Sequence, residues 1–132
     1  MRFWPVLAFA VPAVPAAAAP LPMDVPVTLG SVETVCTGIG EGKNDPRWKA
    51  YPIRVEFADA AAHYIAGAHV ALAGADGTTM AELDCSGSWV LFKTPRGLYS
   101  VTGRIGTETA SGKFQTPMTG QMRLVLRFPS AQ

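Results

Sequence analysis

The sequence at residues 122–128 is MRLVLRF, and this stretch decides the fold class. Its even-numbered positions are all apolar, whereas Arg123 and Arg127 occupy two of the three odd-numbered positions between them. Successive side chains of a strand point to opposite faces, so a period of two marks a strand with one buried face. The segment therefore predicts a β-strand that packs its even-numbered side chains against a core.

The same period of two recurs along the chain. It is clear at residues 53–57 (IRVEF) and at 99–105, and shorter runs fit it as well. The shorter runs cover residues 32–39, 68–72, 80–85 and 89–92. Segments rich in glycine, proline and aspartate separate them and are typical of turns. Short strands at even spacing predict an all-β fold, a seven-stranded or so antiparallel β-sandwich.

The apolar side of each predicted strand defines the expected core. Its members are Ile53, Val55, Phe57, Val70, Leu72, Tyr99, Val101, Leu124, Leu126 and Phe128. Trp89 has apolar neighbours within its run, and we expect it in the core too. The one helix candidate is 58–65, which is too short to be stable alone and predicts at most a helical turn between sheets.

Residues 1–18 have the pattern of a signal peptide. Arg2 is followed by the apolar stretch 3–11, and Ala16 and Ala18 match the small residues that precede a cleavage site. The alternative is a membrane helix, which needs about 20 unbroken apolar residues, whereas prolines interrupt this stretch. We expect cleavage after Ala18, no membrane span in the mature chain, and a periplasmic or secreted protein.

The remaining chain divides into two parts. Residues 19–30 contain three prolines and predict an extended lead-in, and residues 31–132 form the predicted β-sandwich domain.

The full sequence has eleven basic and ten acidic side chains, which give a net charge of +1, and the signs alternate along the chain. Nucleic-acid binding would require a clustered basic excess, so we expect no nucleic-acid partner.

The chain has two cysteines, Cys36 and Cys85. In an exported chain, an even pair predicts a disulfide, because the destination is oxidising. The alternative is a catalytic thiol, which needs a histidine base, and the sequence offers only His63 and His69.

The middle of the chain carries a small-residue turn and strand at 66–72, an aspartate-to-glycine turn at 84–87, and a proline-glycine turn at 95–97 before Tyr99. In these features it resembles the carboxypeptidase regulatory-like domain, a transthyretin-like β-sandwich. The resemblance covers about residues 51–128. The chain departs from the family in the position of Cys85 within the hairpin turn and in the added segment that carries Cys36.

The resemblance implies an accessory module that contacts or supports another protein. Transthyretin-like enzymes that hydrolyse 5-hydroxyisourate share the architecture and carry a C-terminal tyrosine-arginine-glycine-serine motif. This chain ends FPSAQ at 128–132, so we expect no enzyme of that kind.

The other residue patterns in the sequence give little support for catalysis or metal binding. His63 and His69 match no ligand spacing, even with Asp59 nearby, and are expected at the surface. Glu82 and Asp84 share one strand face, where nothing isolates them from water as a catalytic acid requires. We therefore predict no catalytic residues, no metal and no cofactor.

One segment of the sequence has a composition that is typical of a ligand- or protein-binding surface. Arg47, Trp48, Lys49 and Tyr51 combine aromatic rings and cations on a predicted loop, a composition typical of binding hot spots. Alternatively, Trp48 covers one end of the core. The sequence as a whole predicts a non-enzymatic accessory domain of the cell envelope that binds another protein; the alternative is a small-ligand or carbohydrate-binding module around Trp48.

Overall fold

A computed structural model describes residues 19–129 and shows a β-sandwich of two five-stranded sheets. Sheet A has the order β1-β6-β5-β8-β9, and sheet B has the order β10-β4-β7-β3-β2. The strands are β1 (Ala19–Pro20), β2 (Val27–Leu29), β3 (Val32–Thr37), β4 (Ile53–Ala58), β5 (Ala68–Gly74), β6 (Thr79–Cys85), β7 (Trp89–Lys93), β8 (Leu98–Ile105), β9 (Glu108–Gln115) and β10 (Met122–Arg127). The predicted fold class is confirmed, with nine strands of three residues or more and the two-residue β1 in place of seven or so.

Strand pairing is antiparallel except at one edge of each sheet. β10 pairs with β4 in parallel, Met122 opposite Ile53, and β1 pairs with β6 in parallel. The fold is thus the predicted sandwich of mostly antiparallel strands, with a parallel pair at these two edges. The reason is topological, because β10 follows β9 of the other sheet and no hairpin joins it to β4.

The core lies between the two sheets, as the period of two predicts. Nine of the ten expected core residues are buried, and Leu124, on the edge strand β10, is partly buried and packs against them. Trp89 is an exception, because it is half-buried and lines a cleft on the outer face of sheet B. The expectation that Trp89 lies in the core is wrong, because β7 turns Val90 and Phe92 inward instead.

Two segments differ from the sequence prediction. The predicted lead-in, residues 19–30, contains the short strands β1 and β2. Both lie at the edges of their sheets, where proline is tolerated. The helix candidate 58–65 instead continues β4 to Ala58 and then turns, with the Asp59 carboxylate accepting hydrogen bonds from the Ala61 and His63 backbone N–H groups. The predicted signal peptide at 1–18 lies outside the described residues.

The predicted disulfide joins the two sheets. Cys36 of β3 is bonded to Cys85 at the end of β6, with their Cα atoms 5.5 Å apart. Both residues are buried. The sequence has no other cysteine, so the catalytic-thiol alternative has no free thiol to use.

Candidate functional site

The segment of the predicted recognition patch lies across the outer face of sheet B. It forms two short 3₁₀ helices, Gly40–Asn44 and Pro46–Ala50. The Asp45 carboxylate caps the second helix by accepting a hydrogen bond from the Arg47 backbone N–H at 2.9 Å. The Gln121 side chain fixes the segment from the other side, donating to the backbone carbonyls of Trp48 and Tyr51.

Both aromatic rings of the patch face the sheet. Trp48 and Tyr51 are 4% and 3% exposed, and they form a second apolar cluster with Val35 and Leu91. The Trp48 indole N–H donates to the Gly42 carbonyl at 2.7 Å. In this position Trp48 covers the sheet, and neither ring offers a free face on which a ligand can stack.

The Tyr51 hydroxyl donates to the Glu33 carboxylate at 2.5 Å. Burial, followed by this hydrogen bond to an anion, raises the pKa of Tyr51 well above its ordinary range. The same bond holds the pKa of Glu33 below its ordinary value. Tyr51 therefore stays protonated at neutral pH and acts as a structural donor.

The cationic members of the patch are exposed. The Arg47 guanidinium lies over the Trp48 ring at 4.8 Å and pairs with Asp45 at 2.8 Å. Its hydrogen bonds lower the pKa of the Asp45 carboxyl. Lys49 is exposed beside them. The structure thus separates the four predicted residues into two buried rings and two surface cations.

The predicted surface histidines form simple pairs with carboxylates. His69 Nδ1 lies 2.9 Å from Asp84 on the neighbouring strand, and His63 Nδ1 lies 3.5 Å from Asp59. Glu82 and Asp84 are exposed on the outer face of β6. Within residues 19–129, no group of three or more His, Cys, Asp and Glu residues could hold a metal ion.

Sequence reasoning missed an ion cluster around the buried Glu56 on the outer face of sheet B. The Glu56 side chain is fully excluded from solvent and pairs with Arg54 and Arg123, at 2.7 Å in each case. Arg54 also lies over the Trp89 ring at 4.5 Å, and the Tyr64 ring meets Trp89 edge-on. The alternation at 53–57 predicts exposed charges here. No signal within that strand shows that Arg123 and Tyr64 cover them.

The ion cluster borders a cleft of about 350 Å³. The cleft lies between the 3₁₀ segment and β7, and its walls carry Lys43, Lys49, Arg54, Trp89 and Gln121. A larger hollow of about 510 Å³ lies at the turn between β5 and β6, against the stacked rings of Tyr99 and Phe114.

The chain matches no protein-family model, no curated protein and no solved structure. Across residues 19–129, no helix is both long enough and apolar enough to span a membrane.

Proposed function

We propose that this protein is a non-enzymatic, exported accessory domain of the cell envelope that binds another protein by accepting one of its strands along β9. The observation that carries the proposal is the open edge of β9. This eight-residue strand pairs with β8 on one side, and no strand within residues 19–129 pairs with its other side. An open edge of this length can add a strand from a partner.

The register of the β8–β9 hairpin defines which backbone groups face the partner. Ile105 pairs with Glu108 across a two-residue turn, so this pair and every second pair after it exchange hydrogen bonds. The intervening residues direct their N–H and C=O groups away from β8. They are Thr109, Ser111, Lys113 and Gln115, and their side chains are exposed on the outer face of sheet A.

The other three sheet edges are less suited to strand addition. β1 has two residues, one of them Pro20, and β2 has three residues. β10 carries the exposed Arg123 and Arg127, and charged side chains on an edge discourage pairing. β9 carries Glu108 at its first position and Lys113 nearer its other end, with small residues between them, and at eight residues it is the longest of the four edges.

Two further observations support export and an accessory role. The signal-peptide pattern at 1–18 and the buried disulfide fit a protein that folds in an oxidising compartment such as the periplasm. The resemblance to the carboxypeptidase regulatory-like domain supports an accessory role, since such domains contact or stabilise other proteins. The function itself is argued from the edge strand, because a fold alone does not define one.

The test is crosslinking of the tagged protein in intact cells, with the recovered partner identified by mass spectrometry. Ser111→Pro removes one N–H that faces the partner without removing a backbone hydrogen bond to β8, since proline is tolerated at an edge. It also removes the hydrogen bond between the Ser111 and Thr102 hydroxyls, which Ser111→Ala removes equally. Ser111→Ala keeps that N–H and is the matched control. We expect one reproducible partner with the native protein and with Ser111→Ala, and its loss with Ser111→Pro. Equal recovery with all three proteins would rule out strand addition at β9, and recovery of the protein alone would overturn the proposed partner.

A further inference from the structure

Positive charge is concentrated around the cleft on the outer face of sheet B, although the whole chain carries a net charge of only +1. Three cations, Lys43, Lys49 and Arg54, line this cleft of about 350 Å³. Its one carboxylate, Asp45, is already paired with Arg47. The walls of the cleft therefore carry uncompensated positive charge.

The two lysines lack a polar partner in the part of the chain that the structure describes. Within residues 19–129, neither Lys43 nor Lys49 forms an ion pair or a side-chain hydrogen bond. Arg54 is paired with Glu56, but Glu56 also pairs with Arg123, so two guanidinium groups share one carboxylate. An anion that enters the cleft would lie among the side chains of two lysines and one arginine, and it would displace no ion pair of either lysine.

The cleft also has an apolar side, formed by Trp89 and Leu91. The Trp89 indole N–H is buried and has no hydrogen-bond acceptor among the described residues. A buried donor without an acceptor is costly, so few remain in folded proteins. That N–H is out of reach of solvent, so a ligand in the cleft would contact the Trp89 ring and the Arg54 side chain stacked on it rather than the indole nitrogen.

We infer that this cleft binds a small organic anion, one that carries a carboxylate or phosphate group beside an apolar part. Lys43 and Lys49 would hold the charged group, and Trp89 and Leu91 would contact the apolar part. The volume lies at the lower end for small-molecule sites and suits a ligand the size of a monosaccharide acid. The site lies on sheet B, whereas β9 belongs to sheet A, so this inference is independent of strand addition.

The experiment is a titration of isotope-labelled protein followed by ¹H–¹⁵N NMR spectra. The probes are galacturonate, its neutral counterpart galactose, and inorganic phosphate. We expect galacturonate to shift the Trp89 indole resonance and the amides of Lys43 and Lys49 in a saturable way. Added salt should weaken this binding, since the lysines are partly or fully exposed.

Two variants test whether binding depends on the lysines of the cleft. Lys43→Gln combined with Lys49→Gln should weaken galacturonate binding by about tenfold or more. Arg104→Gln removes an exposed cation from β8 of sheet A and should change the binding less than about twofold, since it is remote from the cleft. Dispersed spectra of both variants would show that they are folded.

The three probes show whether the cleft prefers a carboxylate or a phosphate group. Binding of galacturonate but not phosphate would assign the site to organic acids, and binding of phosphate as tightly as galacturonate would assign it to phosphate groups. The inference is overturned if galactose binds as tightly as galacturonate, if neither anion binds, or if the double lysine variant binds like the native protein.

Discussion

Oε1 of Glu56 lies 2.7 Å from Nη2 of Arg123, and the Glu56 side chain is fully buried while Arg123 is 54% exposed. The two residues belong to adjacent strands, β4 and β10, which are distant in the sequence. Arg54, on the same strand as Glu56, supplies a second guanidinium at 2.7 Å. This pairing attaches the last strand of the fold to sheet B by charge as well as by backbone hydrogen bonds.

Glu56→Gln should lower the free energy of unfolding at neutral pH by about 2 kcal/mol. The substitution keeps the shape of the side chain but removes the charge that both arginines share. The loss stays below that of a fully buried pair, because Arg54 and Arg123 are partly exposed and water can solvate them. Urea unfolding measures the change. Glu82→Gln, on the exposed face of β6, is the control and should change stability by less than about 0.5 kcal/mol.

The contribution of Glu56 should depend on pH. Burial raises its pKa, but hydrogen bonds from Arg123 and Tyr64 and the charge of Arg54 outweigh burial, so its pKa lies below the ordinary value of 4.5. A carboxyl group with a lowered folded pKa stabilises the fold above its ordinary pKa, and this stabilisation is lost as the pH falls through the folded pKa. The difference between native protein and Glu56→Gln should therefore be largest at neutral pH and shrink below 4.5. A difference that stays constant through acid titration would contradict this prediction.

Removal of the disulfide should destabilise the protein by roughly 4 kcal/mol. The bond closes a loop with a sequence separation of 49 and joins β3 of sheet B to β6 of sheet A. Replacing both cysteines by alanine releases that constraint on the unfolded chain. Denaturant unfolding of this variant, compared with native protein with and without reductant, measures the loss. A change below about 1 kcal/mol would show that the unfolded chain gains little freedom when the bond is absent.

The period of two predicts most strands of this fold, but it misses the short β1 and β2 and the eight-residue β9. Its sequence at 108–115, ETASGKFQ, has alanine, glycine and phenylalanine at the positions that face the other sheet. A Cβ atom at Gly112 would lie 3.0 Å from Leu124 of β10, so the close approach of the two strands requires a small residue. Close packing of β9 against β10 therefore requires small residues at inward-facing positions. These small residues weaken the alternation of apolar and polar side chains by which a strand is recognised in a sequence.

The candidate site shows a different limit of sequence reasoning. The composition of residues 47–51 places aromatic rings beside cations, but it leaves open whether Trp48 is exposed for recognition or covers the core. Leu91 and Gln121 decide the outcome, and both lie far along the chain from Trp48. The burial of Glu56 likewise depends on Arg123 and Tyr64. Such contacts follow from the topology of the sheets, which the alternation within one strand does not encode.

Trp48→Ala should destabilise the fold by about 3 kcal/mol or more, because it removes a large buried ring from the cluster with Val35, Tyr51 and Leu91. Arg47→Ala is the matched control on the adjacent residue. Arg47 is 62% exposed, and its loss should shift the denaturation midpoint far less than the loss of Trp48. Denaturant midpoints of the two variants test this difference. A Trp48→Ala variant as stable as native protein would show that the ring is not part of the packed structure.

Gly38→Ala should be considerably more destabilising than Gly40→Ala, although both glycines have positive φ angles, 105° and 64°. A Cβ atom at Gly38 would lie 2.7 Å from the Trp89 backbone nitrogen and 2.6 Å from the Ser88 hydroxyl, whereas one at Gly40 would meet nothing within 4 Å. We expect a loss of about 1 kcal/mol at Gly40 from backbone strain alone. At Gly38 the backbone strain adds to the steric overlap of the new methyl group with Ser88 and Trp89, and we expect the stability to fall by about 3 kcal/mol. Thermal or urea unfolding measures both values. Equal losses would show that the backbone moves to accommodate the methyl group, and that β7 is held less closely against the end of β3 than this structure indicates.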